Sequence, residues 1–282
     1  MVGVLLGLLA ALCYGSSDFT AGIGGRRSDP GAVTVIAQPM GLIAAAVALA
    51  IFPARAPAAG ALWWGALSGV GSGVGTVALY RGLAVAQMSV VAPLSAVLSA
   101  MLPALTGVLL GNRLAPLAWA GIATAFPAIV LVSIPAAGGY GSRRAGVATG
   151  IIAGAGFALL FIALDRAGTS AGAWPLLPGQ AVAAMVVIAL TWISPASQRP
   201  DPKAWPRAWP PGAAAGLTGG VANLLYLAAT GAGQLAVVAV VTALYPAVTV
   251  LLARIGLHER WSRLQIIGLA ASVAAVAAIS AS

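Results

Sequence analysis

The chain has 282 residues, of which 61% are hydrophobic and only 7% charged, with a mean hydropathy of +1.01. A soluble domain carries about 25% charged residues, so this composition excludes a water-soluble particle. The 36 glycines follow no collagen period and the apolar content is too high for disorder, which leaves an all-α integral membrane protein. The formal net charge of +9 does not point to nucleic acid, because the chain has a single lysine, Lys203, and its arginines fall mostly in short gaps between apolar runs, where they act as topology and headgroup anchors. One cysteine, Cys13, excludes an intrachain disulfide, and with one histidine, His258, it cannot build a zinc or iron–sulfur site, so no metal and no cofactor is expected.

A membrane-crossing helix takes about 20 apolar residues. By that measure ten spans are predicted, at about 2–23, 31–52, 61–83, 88–110, 115–135, 146–164, 173–194, 211–230, 235–256 and 263–281. The first is read as a retained span: no Lys or Arg precedes the apolar stretch, and Leu12 is too bulky for a cleavage-site position. Two connections are clearly polar, Ala136–Arg144 at the middle of the chain and Pro195–Pro210 with its five prolines. They suggest a first repeat over 1–135, a linker over 136–145 and a second repeat over 146–282.

An offset of 147 positions, from Gly65 to Gly212, aligns 65–133 with 212–280 without a gap. It places Gly65, Gly69 and Gly73 on Gly212, Gly216 and Gly220, Gln87 on Gln234, Arg113 on Arg260 and Gly121 on Gly268. An offset of 143 places Gly7 on Gly150 and Tyr14 on Phe157. Each half then holds five spans, and an odd number makes the second copy enter the membrane from the opposite side. Such inverted repeats are common in secondary transporters, which bind substrate near the midplane between the copies. One chain is sufficient for such a site, and the oligomeric state is left open. With a cytoplasmic N-terminus, three basic residues (Arg55, Arg113, Arg166) would lie on inner connections against nine on outer ones, so the positive-inside rule favours external termini.

Asp18 follows Ser16 and Ser17 in the first span, roughly 8 Å from its midplane at about 1.5 Å per residue. An aspartate at a helix centre costs about 2.5–3.5 kcal/mol on insertion scales. It reads as a proton-carrying group or an anionic partner for a substrate amine, against the alternative of an ion pair with a nearby arginine such as Arg81 that only fixes packing. Tyr14, Tyr80, Asn223, Tyr226 and Tyr245 are the accompanying substrate-binding candidates, since a solute cavity needs apolar walls with a few donors and acceptors. Gln38, Gln180, Trp63 and Trp64 are further residues the sequence offers to a cavity wall, against the alternatives of bonds between neighbouring helices for the glutamines and an interfacial place for the tryptophans. Gly65, Gly69, Gly73, Gly212, Gly216 and Gly220 form small-residue ladders for close helix packing. No Walker sequence is present, so ATP is not the energy source within this chain. Pro93, Pro103, Pro127 and Pro246 are candidate kinks.

The opening Tyr14-Gly15-Ser16-Ser17-Asp18-Phe19 and the run Leu257-His258-Glu259-Arg260 resemble the drug/metabolite transporter superfamily, specifically its ten-span members with two EamA-type repeats. Leu110-Gly111-Asn112-Arg113 is the equivalent loop of the first half, with Asn112 where the family usually has Glu. The resemblance implies a multi-pass carrier of the plasma (inner) membrane with cytoplasmic termini, opposite to the arginine count. Together with the residues it points to outward movement of a small organic metabolite through a cavity between spans 1, 3, 8 and 9, with proton coupling resting on Asp18. The alternatives are a membrane-embedded structural or interaction subunit, or an intramembrane enzyme, for which one His, one Cys and five carboxylates supply few groups.

Overall fold

The structure is a computed structural model that describes residues 1–54, 56–85, 88–133, 143–194, 199–257 and 262–281, without the side chains of 80, 83–85, 88–90, 93, 143 and 257. Among the described residues there are eleven α-helices and one short 3-10 turn, and no strand. The helices are α1 (Val2–Arg27), α2 (Pro30–Ile51), α3 (Ala59–Val85), α4 (Met88–Leu109), α5 (Pro116–Ser133), α6 (Arg143–Ala167), α7 (Leu176–Trp192), α8 (Trp205–Ala232), α9 (Leu235–Thr242), α10 (Tyr245–Leu257) and α11 (Arg263–Ser280). Among the described residues, seven segments are long and apolar enough to cross a membrane, α9 and α10 counting together as one. In a bilayer every backbone group must bond within the protein, which is why an apolar chain of this length resolves into helices alone.

Two expectations change. The stretch 195–210 is not one loop: α8 begins at Trp205 and runs through Pro206, Pro210 and Pro211. Pro206 sits in the first turn of α8, where a helix needs no N–H from it. The ninth span is interrupted at Ala243 and Leu244, and Pro246 falls in the first turn of α10 rather than inside a helix. The internal prolines include Pro39 in α2 and Pro127 in α5. Gln87, His258, Glu259, Arg260 and most of the 136–145 linker lie outside the described residues, as does the side chain of Tyr80.

Small residues dominate the interior, and Leu, Ile and Trp dominate the exterior: Ala10, Ala100, Ala125 and Ala153 are fully buried, while Leu5, Ile43, Ile151 and Ile267 are exposed. Lipid tails are as apolar as leucine, so helices associate through close backbone approach, which small residues permit. The glycine ladders meet their partners in the same manner in each half. Gly65, Gly69 and Gly73 of α3 lie against Pro175, Gly179 and Ala183 of α7 and its approach, while Gly212, Gly216 and Gly220 of α8 lie against Val33, Ala37 and Gly41 of α2.

The other large contacts repeat the pattern. α1 packs on α8 as α3 packs on α6, and α4 packs on α6 as α1 packs on α9 and α10. Gly121 of α5 faces Ile279 of α11, and Gly268 of α11 faces Val132 of α5, so these two helices run antiparallel. These largest contacts therefore fall into pairs when the two halves are exchanged.

Candidate functional site

A central cavity of about 120 Å³ is lined from seven helices. Each contributes a stripe at helical spacing: Tyr14, Ser17, Asp18 and Ala21 from α1; Thr34, Ala37, Gln38 and Gly41 from α2; Ser72, Thr76 and Leu79 from α3; Phe157, Leu160 and Phe161 from α6; Gly216, Gly219, Gly220 and Asn223 from α8. Gln180 of α7 and Tyr245, the first residue of α10, complete it. Residues three and four apart share a helix face, so Tyr14 and Asp18 project side by side. Because α1 extends to Arg27, Asp18 stands roughly 5 Å from the middle of its helix at about 1.5 Å per residue.

The Asp18 carboxylate has neither a hydrogen-bond nor an ion-pair partner among the described residues. The alternative of a pair with Arg81 fails, because the Arg81 guanidinium donates to Leu190 O at 2.8 Å and to Ser194 Oγ, tying α3 to the end of α7. No Arg, Lys or His is among the cavity-lining residues. Asp165, the other acid within a span, is not a lining residue.

The neighbouring polar groups are fixed by helix contacts. Tyr14 Oη donates to Asn223 Oδ1, and Ser17 Oγ donates to Ala215 O at 2.7 Å, both joining α1 to α8. The Tyr14 ring meets Phe161 edge-on, with centroids 5.8 Å apart, and Tyr245 at 6.2 Å. Gly41 leaves room for the Gln180 amide: a Cβ there would lie 2.9 Å from Gln180 Oε1, the end of a flexible side chain that would have to shift.

Four of the six sequence candidates, Asp18, Tyr14, Asn223 and Tyr245, line the cavity. Tyr226 does not: it is fully buried against Phe161, with centroids 4.5 Å apart, and its hydroxyl has no partner among the described residues. Tyr226 is three residues beyond Asn223 on α8, but the packed face there is filled by Phe161. Tyr80 has no described side chain. The expected set of spans 1, 3, 8 and 9 omitted α2, α6 and α7. The missed residues are Thr34, Ser72 and Thr76, while Gln38 and Gln180 lie on the wall rather than only between helices.

The repeat carried a signal for several of them. Asn223 corresponds to Thr76 at an offset of 147, and Gln38 to Gln180 at an offset of 142, which is also the offset between Ala37 and Gly179, the partners of Gly216 and Gly69. The wall thus includes repeat-related positions of both halves, but the charge is not repeated, since Asp18 corresponds to Phe161 at an offset of 143.

The fold and this cavity define a multi-pass membrane protein with an interior chamber whose mainly apolar wall carries a few polar side chains. The EamA-like transporter family matches residues 1–134 and 144–281, and the chain belongs to that family. Members of that family are transporters rather than enzymes. A solved crystal structure is similar over 99% of this chain and 96% of its own, with a TM-score of 0.78 and 21% identity, a likeness of fold. No curated protein matches the chain.

Proposed function

We propose that the chain is a secondary carrier of the plasma membrane that exports a small organic metabolite by alternating access between two inverted five-helix repeats. The observation that carries this reading is the cavity walled by exchange-related elements of both halves, α2 with α7 and α3 with α8, with a lone carboxylate on its surface. The antiparallel course of α5 and α11 supports inversion, and the short α9–α10 break supports ten spans built from eleven helices. A chamber of this kind favours carriage over a scaffold role, for which a filled helix interior would suffice.

In such a carrier, rocking of one half against the other would expose the chamber alternately to the two sides. The paired glycine ladders supply smooth surfaces on which α3 can move against α7 and α8 against α2. Asp18 is the group proposed to couple flux to protons. The titratable neighbours on the cavity wall are Tyr14 and Tyr245, and no cation faces it from α2, α3, α6, α7 or α8 among the lining residues.

The test is flux in proteoliposomes under an imposed pH gradient, comparing the wild-type chain with Asp18→Asn. Gradient-driven flux in the wild type that is lost in the variant is expected; unchanged gradient dependence refutes the coupling. Comparing the medium and cytosol of cells with and without the protein identifies the solute, which on this reading accumulates in the medium.

A further inference from the structure

We infer that the central chamber is built for a small protonated primary amine that carries no carboxylate, an inference that rests on the carrier reading and names its substrate class. The first observation is electrostatic. Asp18 presents a carboxylate to the chamber without a partner among the described residues, and none of the lining residues is basic. A solute carboxylate placed there would find no countercharge and would be repelled by Asp18, whereas an ammonium would supply the missing partner in a place where bulk water is scarce.

The second observation concerns the wall. Gln38 and Gln180 lie at matching positions of the two halves, and neither amide has a hydrogen-bond partner among the described residues. Each offers a carbonyl oxygen, so with Asp18 the chamber presents acceptors for an ammonium group, which has three donors and no acceptor. Tyr14, Phe157 and Phe161 give an aromatic flank suited to the cation and to its apolar body.

Size sets the third limit. A cavity of about 150 Å³ holds a benzene-sized molecule, so one of about 120 Å³ suits a body of five or six heavy atoms.

The experiment measures equilibrium binding of four probes of similar branched shape to the full chain in nanodiscs at neutral pH: isoamylamine, isoamyl alcohol, isovalerate and leucine. Isoamylamine is expected to bind at least about tenfold more tightly than each of the others. Asp18→Asn, which retains the shape, is expected to remove that preference. Equal affinities, preference for isovalerate or leucine, absence of amine binding, or an amine preference that survives Asp18→Asn overturns the inference. The wild-type series needs no variant to fold. Binding also needs no turnover: amine binding without flux would refute carriage while leaving the site, and flux of leucine or isovalerate without amine binding would refute the amine while leaving carriage.

Discussion

Gly69 and Gly216 occupy equivalent places in the two halves and each is pressed against backbone. A Cβ on Gly69 would lie 2.9 Å from the Gly179 carbonyl carbon and 3.0 Å from Ala183 N, and closer still to Gly179 O. On Gly216 it would lie 2.7 Å from the Ala37 carbonyl carbon and 2.7 Å from Met40 Cβ, and closer to Ala37 O. Carbon contacts are optimal at about 3.5–4.0 Å, so a single methyl requires each helix pair to part by roughly half an ångström or more. Backbone cannot rotate out of the way as a side chain can. Overpacking of this kind costs about 1–3 kcal/mol, which exceeds the gain of about 0.5–1 kcal/mol from replacing glycine by alanine inside a helix.

Gly22 of α1 supplies the opposite case, since nothing lies within 4 Å of a Cβ built there. Gly69→Ala and Gly216→Ala are therefore expected to lower the thermal unfolding midpoint in detergent by similar amounts, and Gly22→Ala to leave it unchanged or raise it. The two damaging changes act at separate interfaces, α3–α7 and α8–α2, so their effects should add to within about 0.5 kcal/mol. If Gly69→Ala is as stable as Gly22→Ala, or if only one of the two ladders is sensitive, the duplicated packing is not what joins the halves.

Tyr14→Phe removes the donor to Asn223 while retaining the ring that meets Phe161 and Tyr245. The expected loss is about 0.5–1.5 kcal/mol, read from unfolding in detergent, and a stability equal to that of the wild type would show that the α1–α8 hydrogen bond contributes nothing net. Gly41→Ala should act differently from the ladder variants, because the atoms its Cβ meets are the end of the flexible Gln180 side chain at 2.9–3.1 Å. The amide is expected to swing into the chamber, so flux in proteoliposomes falls by more than stability does, and Gly41→Ala with Gln180→Ala recovers it in part. No recovery in the double variant would show that Gly41 acts by another route.

Composition and span length alone determined that this chain lives in a bilayer as helices, because its side chains are apolar and mostly uncharged while its polar backbone groups must bond internally there. The repeat was legible for the same reason: a glycine required for backbone contact cannot drift, so Gly65, Gly69 and Gly73 still match Gly212, Gly216 and Gly220. Asp18 stood out because an acid is costly in lipid, and Tyr14, Asn223 and Tyr245 followed as rare polar groups in apolar runs. Only the tertiary structure decided which of these meet. Whether Tyr226 faces the chamber or Phe161, whether Arg81 answers Asp18 or Ser194, and whether Gln38 and Gln180 join a cavity wall depend on the rotation of each helix about its axis. That rotation is set by contacts between residues up to about two hundred positions apart, such as Tyr14 with Asn223, and an amphipathic signal that would reveal it along one helix is weak when lipid and protein interior are both apolar.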